Sequence, residues 1–194
     1  MVSTASLPVK TLSDIVELTK KRPGGLNAAV SGSGTQLSAE FFKLAAGVPL
    51  AIVPYKGGSQ SAIALVSGEV DIGFIDIPSI AGQISAGKVN AIAVTTARRI
   101  RALPEVPTAM EAGYPEYKVA GWLGLFAAAG TPPDLVNRIS AEIQKAVASP
   151  EVTAKILQLG GEPTPAGAAE FTNLVRSEIA HWKDVVKRGN IKQE

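Results

Sequence analysis

Short apolar runs and amphipathic stretches take turns along the first half of the chain. Thr11-x-x-Asp14 reads as an acidic capping box, and Leu12, Ile15, Val16 and Leu18 behind it fall on one helical face. Pro23-Gly24-Gly25 stops that helix, and Leu26 to Val30 is short and apolar enough for a buried strand. Ser31-Gly32-Ser33-Gly34-Thr35 then opens a second helix, with Leu37, Phe41, Leu44 and Ala45 expected inside and Gly47 closing it. The alternation continues with a strand at Leu50–Val53, a turn at Tyr55–Ser59 and a helix through Ile63 and Val66. After these come a strand at Val70–Ile75 ending on Asp76, a helix from Pro78-Ser79 and a strand at Ala91–Thr95. Continuous apolar strands alternating with helices predict an α/β layer with a mostly parallel sheet.

The texture changes after Thr96. Arg98-Arg99-Ile100-Arg101 leads into Leu103-Pro104-Glu105-Val106-Pro107, whose prolines exclude regular helix. Lys118 to Ala127 reads as a long strand. Three helices follow: one from Thr131-Pro132-Pro133-Asp134, one between Ser149-Pro150 and Gly160-Gly161, and a last one carrying Phe171, Leu174, Val175, Ile179, Trp182 and Val186. A lone strand makes no sheet, so this part needs strands from elsewhere.

Composition narrows the chemistry. With 194 residues, 46% hydrophobic and 19% charged, the chain has ample material for a buried core and is not generally disordered. Nineteen basic against 17 acidic side chains leave no electrostatic footprint for nucleic acid. The absence of Cys removes thiolate chemistry, and a single His, His181, argues against a Ser–His triad or a His-rich metal site. No stretch reaches the ~20 apolar residues of a membrane span, and Met1–Pro8 has neither the basic nor the apolar region of a signal peptide. Cofactor and metal sites are not expected.

Several segments occur in an order that marks a family. Val53-Pro54-Tyr55-Lys56-Gly57-Gly58, Gly68-Glu69-Val70-Asp71-Ile72, Ala86-Gly87-Lys88 and Ala91-Ile92-Ala93-Val94-Thr95-Thr96 come first. Ala102 to Thr108, Glu111-Ala112-Gly113-Tyr114-Pro115, Gly121 to Phe126 and Ala129-Gly130-Thr131-Pro132 follow. Together they resemble the Bug receptors, the solute-binding subunits of tripartite tricarboxylate transporters. The resemblance implies a type II periplasmic-binding-protein-like α/β fold. Residues 1–119 would be a complete ligand-binding lobe. Residues 120–194 would be the hinge strand and C-terminal helices of the other lobe, whose first half lies outside the chain.

In open α/β sheets ligands bind beyond the carboxyl ends of the strands, and three loops fit that rule. The Ser31–Gln36 loop offers glycines and a helix N-terminus to an anion. Its expected contacts are Ser31, Ser33, Gly34, Thr35 and Gln36, with Thr35 as N-cap in the plainer reading of the loop as a flexible turn. The second loop offers Tyr55 and Gly57, with Ser59 capping the next helix and Lys56 solvated. The third offers Asp76 and Ser79; an acid there suits a ligand amine or hydroxyl, or forms a turn. Trp122 is weighed between cleft lining and core. The arginines at 98, 99 and 101 are expected to pair with Glu105 and Glu111.

The leading expectation is a periplasmic, non-catalytic receptor that closes two lobes on a small carboxylate, serving uptake or sensing, with transporter membrane subunits as the partner that the resemblance implies. Neither nucleic-acid binding nor membrane insertion is expected. The alternative is a non-binding domain that forms homodimers through an incomplete lobe. A small hydrolase built on Ser33 or Ser79 lacks a Gly-x-Ser-x-Gly elbow and ranks last.

Overall fold

The computed structural model describes residues 1–191. The chain divides into two compact units, one formed by residues 1–121 with the chain from Arg188, the other by residues 122–187.

The first unit is a five-stranded mixed sheet with helices. Its elements are β1 (Val2–Thr4), α1 (Leu12–Lys21), β2 (Leu26–Ser31), α2 (Gly32–Ala46), β3 (Leu50–Tyr55), α3 (Gly58–Ser67), β4 (Ile72–Gly73), α4 (Ile77–Ser85) and β5 (Val89–Ala91). Strand order is β3-β2-β4-β1-β5. β2 pairs parallel with β3 and β4, while β1 runs antiparallel to both β4 and β5. Four strands therefore share one direction, as the apolar runs predict. The reversed strand, β1, has no counterpart in the sequence reading, because three residues are too few to show a period.

Local chemistry accounts for the helix ends. Thr11 accepts from the Asp14 amide and the Asp14 carboxylate accepts from the Thr11 amide, so the acidic capping box at the start of α1 is complete. Gly47 ends α2 in the left-handed conformation, at φ 61°. Gly25, at φ 82°, has a further reason to be glycine: a Cβ there would lie 2.7 Å from the Pro49 carbonyl carbon and closer still to its oxygen.

Two groups of side chains make the core. Val2, Ala29, Ala62, Ala64, Leu65, Val70, Ile80 and Val89 form one, joining β2 to α3 and α4. The other is aromatic: Phe41, Phe42, Phe74, Tyr114 and Tyr117 meet at ring separations between 5.4 and 6.1 Å. The buried face of α2 is Ser38, Ala39, Phe41 and Phe42; of the expected stripe Phe41 is buried, while Leu37, Leu44 and Ala45 are half-buried. This orientation brings Ser38 against Tyr117, whose hydroxyl lies 2.8 Å from the Ser38 hydroxyl and donates to the Ser38 carbonyl at 3.0 Å.

Three expected strands shrink or vanish. The run at 70–75 is a ladder only at Ile72–Gly73, although Asp71 and Phe74 still donate to Asn27 and Ala29 of β2. The run at 91–95 shifts to Val89–Ala91, leaving a single parallel bridge from Val94 to Thr108. The long strand at 118–127, the expected hinge strand, does not form. Val119 is tied to Thr95 through its amide and carbonyl, but from Ala120 to Ala129 the chain is irregular and largely exposed. Apolar, β-prone residues become a strand only beside a partner, and none is present for this segment among the described residues.

The second unit contains α5 (Pro133–Ala148), α6 (Pro150–Gln158) and most of α7 (Ala168–Gly189). Its described residues form no strand, and Val185 alone is buried. Leu123, Leu125, Phe126, Leu135, Ile139, Leu159 and Ile179 are all exposed. Trp122, Phe126 and Phe171 make an aromatic group there, with Trp122 edge-on to Phe171 at 5.3 Å. Gly124 allows the approach, since a Cβ there would fall 2.6 Å from a ring carbon of Phe171.

Candidate functional site

Parallel pairing of β2 with β3 and β4 sends three strand ends to one edge of the sheet, and each feeds a helix. The starts of α2, α3 and α4 therefore gather there. Ser31, Gly57 and Asp76 occupy the N-cap positions, and none makes a side-chain capping bond. In the first turns the Gln60 and Ser79 amides donate to the Gly57 and Asp76 carbonyls, and Pro78 has no amide. The remaining first-turn amides have no acceptor within their own helix, so this edge presents those donors and the positive ends of three helix dipoles. Such an edge suits an anion with more than one oxygen.

The loops touch one another. A Cβ placed on Gly58 would fall 2.7 Å from the Ser79 Cβ, nearer still to the Ser79 hydroxyl, and 3.8 Å from the Ser31 hydroxyl. Ser31, Gly58 and Ser79 are thus one spot, contributed by three separate loops. Both serines are partly exposed.

The structure sorts the expected residues. Ser33 and Gly34 are exposed in the first turn of α2, and Gln36 is half-buried one turn further in. Thr35 is not the N-cap; that position belongs to Ser31, because the helix begins at Gly32. The Thr35 hydroxyl donates back to the Ser31 carbonyl at 2.9 Å and accepts from the Ser31 amide at 2.7 Å, which shapes the loop from inside. Likewise Ser59 lies within α3, behind the N-cap Gly57. The Tyr55 hydroxyl donates to Glu69 at 2.7 Å and is occupied there. Burial and the neighbouring carboxylate push that phenol up to about 12. Asp76 is exposed at the mouth of α4, and Lys56 is exposed as expected. Trp122 falls in the second unit, in the aromatic group with Phe126 and Phe171.

Gly58 is the residue the sequence reading passes over. The Gly57-Gly58 pair is visible as a turn, but which glycine faces Ser79 is a tertiary fact. Among the described residues no three His, Asp or Glu side chains gather as a metal set, and no described helix is long and apolar enough to cross a membrane. Arg99 pairs with Glu111 at 3.0 Å and also donates to the Pro104 carbonyl.

Comparison with known proteins sets this edge in a family. The profile of the tripartite tricarboxylate transporter family receptor, TctC, matches residues 1–191. The chain belongs to the TctC receptor family. Among TctC relatives, the protein encoded in the tcbD-tcbE intergenic region of Pseudomonas sp. strain P51 is 37% identical over 96% of this chain and 56% of its own length. The R. palustris protein Rpa4515, solved with adipate, superposes with a TM-score of 0.84 at 34% identity, over 98% of this chain and 64% of that one. MatC of Rhodopseudomonas palustris, solved with bound malate, gives a TM-score of 0.77 at 29% identity, over 95% of this chain and 65% of that one. The TctC chain described here thus spans less than two thirds of each of these relatives. Its α/β fold is that of the periplasmic binding proteins in this family.

Proposed function

We propose that this chain is the ligand-gripping part of a periplasmic solute receptor for a small carboxylate, acting by binding and not by catalysis. The convergence of Ser31, Gly58 and Ser79 over three helix starts without side-chain caps carries the reading. Amides and dipoles of first turns favour a carboxylate by about 0.3–1 kcal/mol per terminus when exposed, and more once a cleft excludes water. Two relatives of the same fold, solved with adipate and malate, support a carboxylate as the solute. Ser33, Gly34, Gln36 and Gly57 line the same edge, and Asp76 faces a ligand hydroxyl or amine.

On this reading residues 1–119 form one wall of the site. Residues 120–194 belong to a second lobe, whose sheet and opposing wall lie in the more than one third of the relatives' length that the chain does not match. The exposed apolar side chains of the helical unit support that assignment. Delivery to transporter membrane subunits follows from the receptor role.

Isothermal titration with malate, adipate and other mono-, di- and tricarboxylates tests the proposal, on this chain and on a form extended to the relatives' length. Saturable binding of at least one carboxylate by the extended form is expected. No binding across the panel would sink the receptor reading. The exposed Leu123, Leu125 and Phe126 favour one other behaviour, self-association of the helical unit, with this chain then a non-binding domain. Sedimentation at rising concentration separates the two: a dimer that binds nothing supports the second.

A further inference from the structure

Gly58 combines an ordinary backbone with a forbidden side chain. It is absent from the positive-φ glycines, so its conformation is open to any residue. The space above it is filled by Ser79, whose Cβ as well as hydroxyl would overlap an added methyl group. A hydroxyl can swing aside, but a Cβ moves only with its backbone. The neighbouring glycines differ: Gly57 and Gly34 have open space where a Cβ would stand, and Gly32 has open space but a positive φ.

We infer that Gly58 is a positioning residue for the carboxylate site. Its bare Cα lets the first turn of α4 settle against the first turn of α3, so that the Ser31 and Ser79 hydroxyls and the Gly58, Ser59 and Ile77 amides reach the same ligand carboxylate. A methyl group at 58 holds the two helix starts apart and leaves each with part of the ligand. The inference rests on the receptor reading above and adds to it the residue that sets the grip.

The test is calorimetric titration with malate and adipate of the extended protein carrying Gly58→Ala, Ser79→Gly or both. Gly82→Ala, one turn beyond Ser79 on α4 where an added Cβ meets nothing within 4 Å, serves as a control for a methyl group added without a clash. For Gly58→Ala the dissociation constant is expected to rise about tenfold or more, the scale of losing one hydrogen bond to a charged group, with stoichiometry unchanged. A purely structural defect would do the reverse, lowering the competent fraction and leaving affinity alone. Ser79→Gly weakens binding through its lost hydroxyl but also removes the overlap. Adding Gly58→Ala to it should then change the constant by no more than about twofold, a signature of coupled residues. The double variant relieves the clash, so this comparison stands even where Gly58→Ala alone does not fold. Wild-type affinity in Gly58→Ala, or an equal loss in both backgrounds, overturns the inference while leaving the receptor reading intact. A wild type that binds no carboxylate overturns both.

Discussion

At the scale of single residues, two hydroxyls show how neighbours decide a role. Thr35 and Ser31 stand four positions apart in one loop, yet Thr35 spends its hydroxyl on the Ser31 backbone while the Ser31 hydroxyl lies over Gly58, on the spot that Ser79 also reaches. Tyr117 is the strongest case in the core. Its ring is fully buried against Phe41 and Phe42, and burial holds its hydroxyl well above the ordinary phenol value, so it stays a neutral donor. Tyr117→Phe keeps the ring contacts and removes the donor to Ser38. A loss of about 1–2 kcal/mol in urea unfolding is expected, with the m-value unchanged. An unchanged midpoint would mean that the Ser38 groups find other partners at no cost.

At the scale of elements, the same reciprocal pattern occurs twice, at Thr11/Asp14 before α1 and at Thr108/Glu111 in the turn after the Val94 bridge. The amides of Lys10 and Thr11 hold the Asp14 carboxyl below its ordinary value of 3.8. The Thr108 amide, and after it Arg99, hold Glu111 below 4.5. Because the folded form binds protons less readily than the unfolded one, both contributions are complete above the ordinary carboxylate range and fade as pH falls through it. Urea midpoints should therefore be flat with respect to these two groups between about pH 6 and 8 and decline below about 4.5. Asp14→Asn with Glu111→Gln should shallow the decline; a double variant with the wild-type slope would remove these groups as its cause. The Thr11/Asp14 cap is legible in the sequence because it is local, and so are the helices from Pro133, Pro150 and Ala168, whereas Glu111 is expected only to pair with the arginines and its bond with Thr108 goes unread. Pairing was less legible. β1 is too short to show a period, and residues 118–127 have a strand's composition without a strand's partner. The three candidate loops could be read from strand–helix punctuation, whereas the meeting of Gly58 with Ser79 depends on how α3 and α4 pack and leaves no trace in spacing.

At the scale of the whole chain, the two units differ in how they hold themselves together. The first has a sheet and two buried groups of side chains, while the second has three amphipathic helices, an irregular segment and a single buried residue. Helices of this length draw most of their stability from packing. Native-state hydrogen exchange of this chain alone should find amides of α5 and α6 opening at far lower free energy than those of β2 and β3. Equal protection in both units would show that self-association or another contact covers the apolar faces of the second. The sheet also imposes an order in time. Its earliest strand in sequence, β1, lies between β4 and β5 in space, paired through Val2 with Gly73 on one side and Ala91 on the other. A chain leaving the ribosome can lay β2 and β3 together at once, but β1 must stay unpaired until residues 72–73 emerge, and β5 docks only on a β1 already placed. The strand of this sheet that comes first in sequence is thus among the last to be secured, and a nascent chain halted before residue 89 carries a finished parallel edge beside an open antiparallel one.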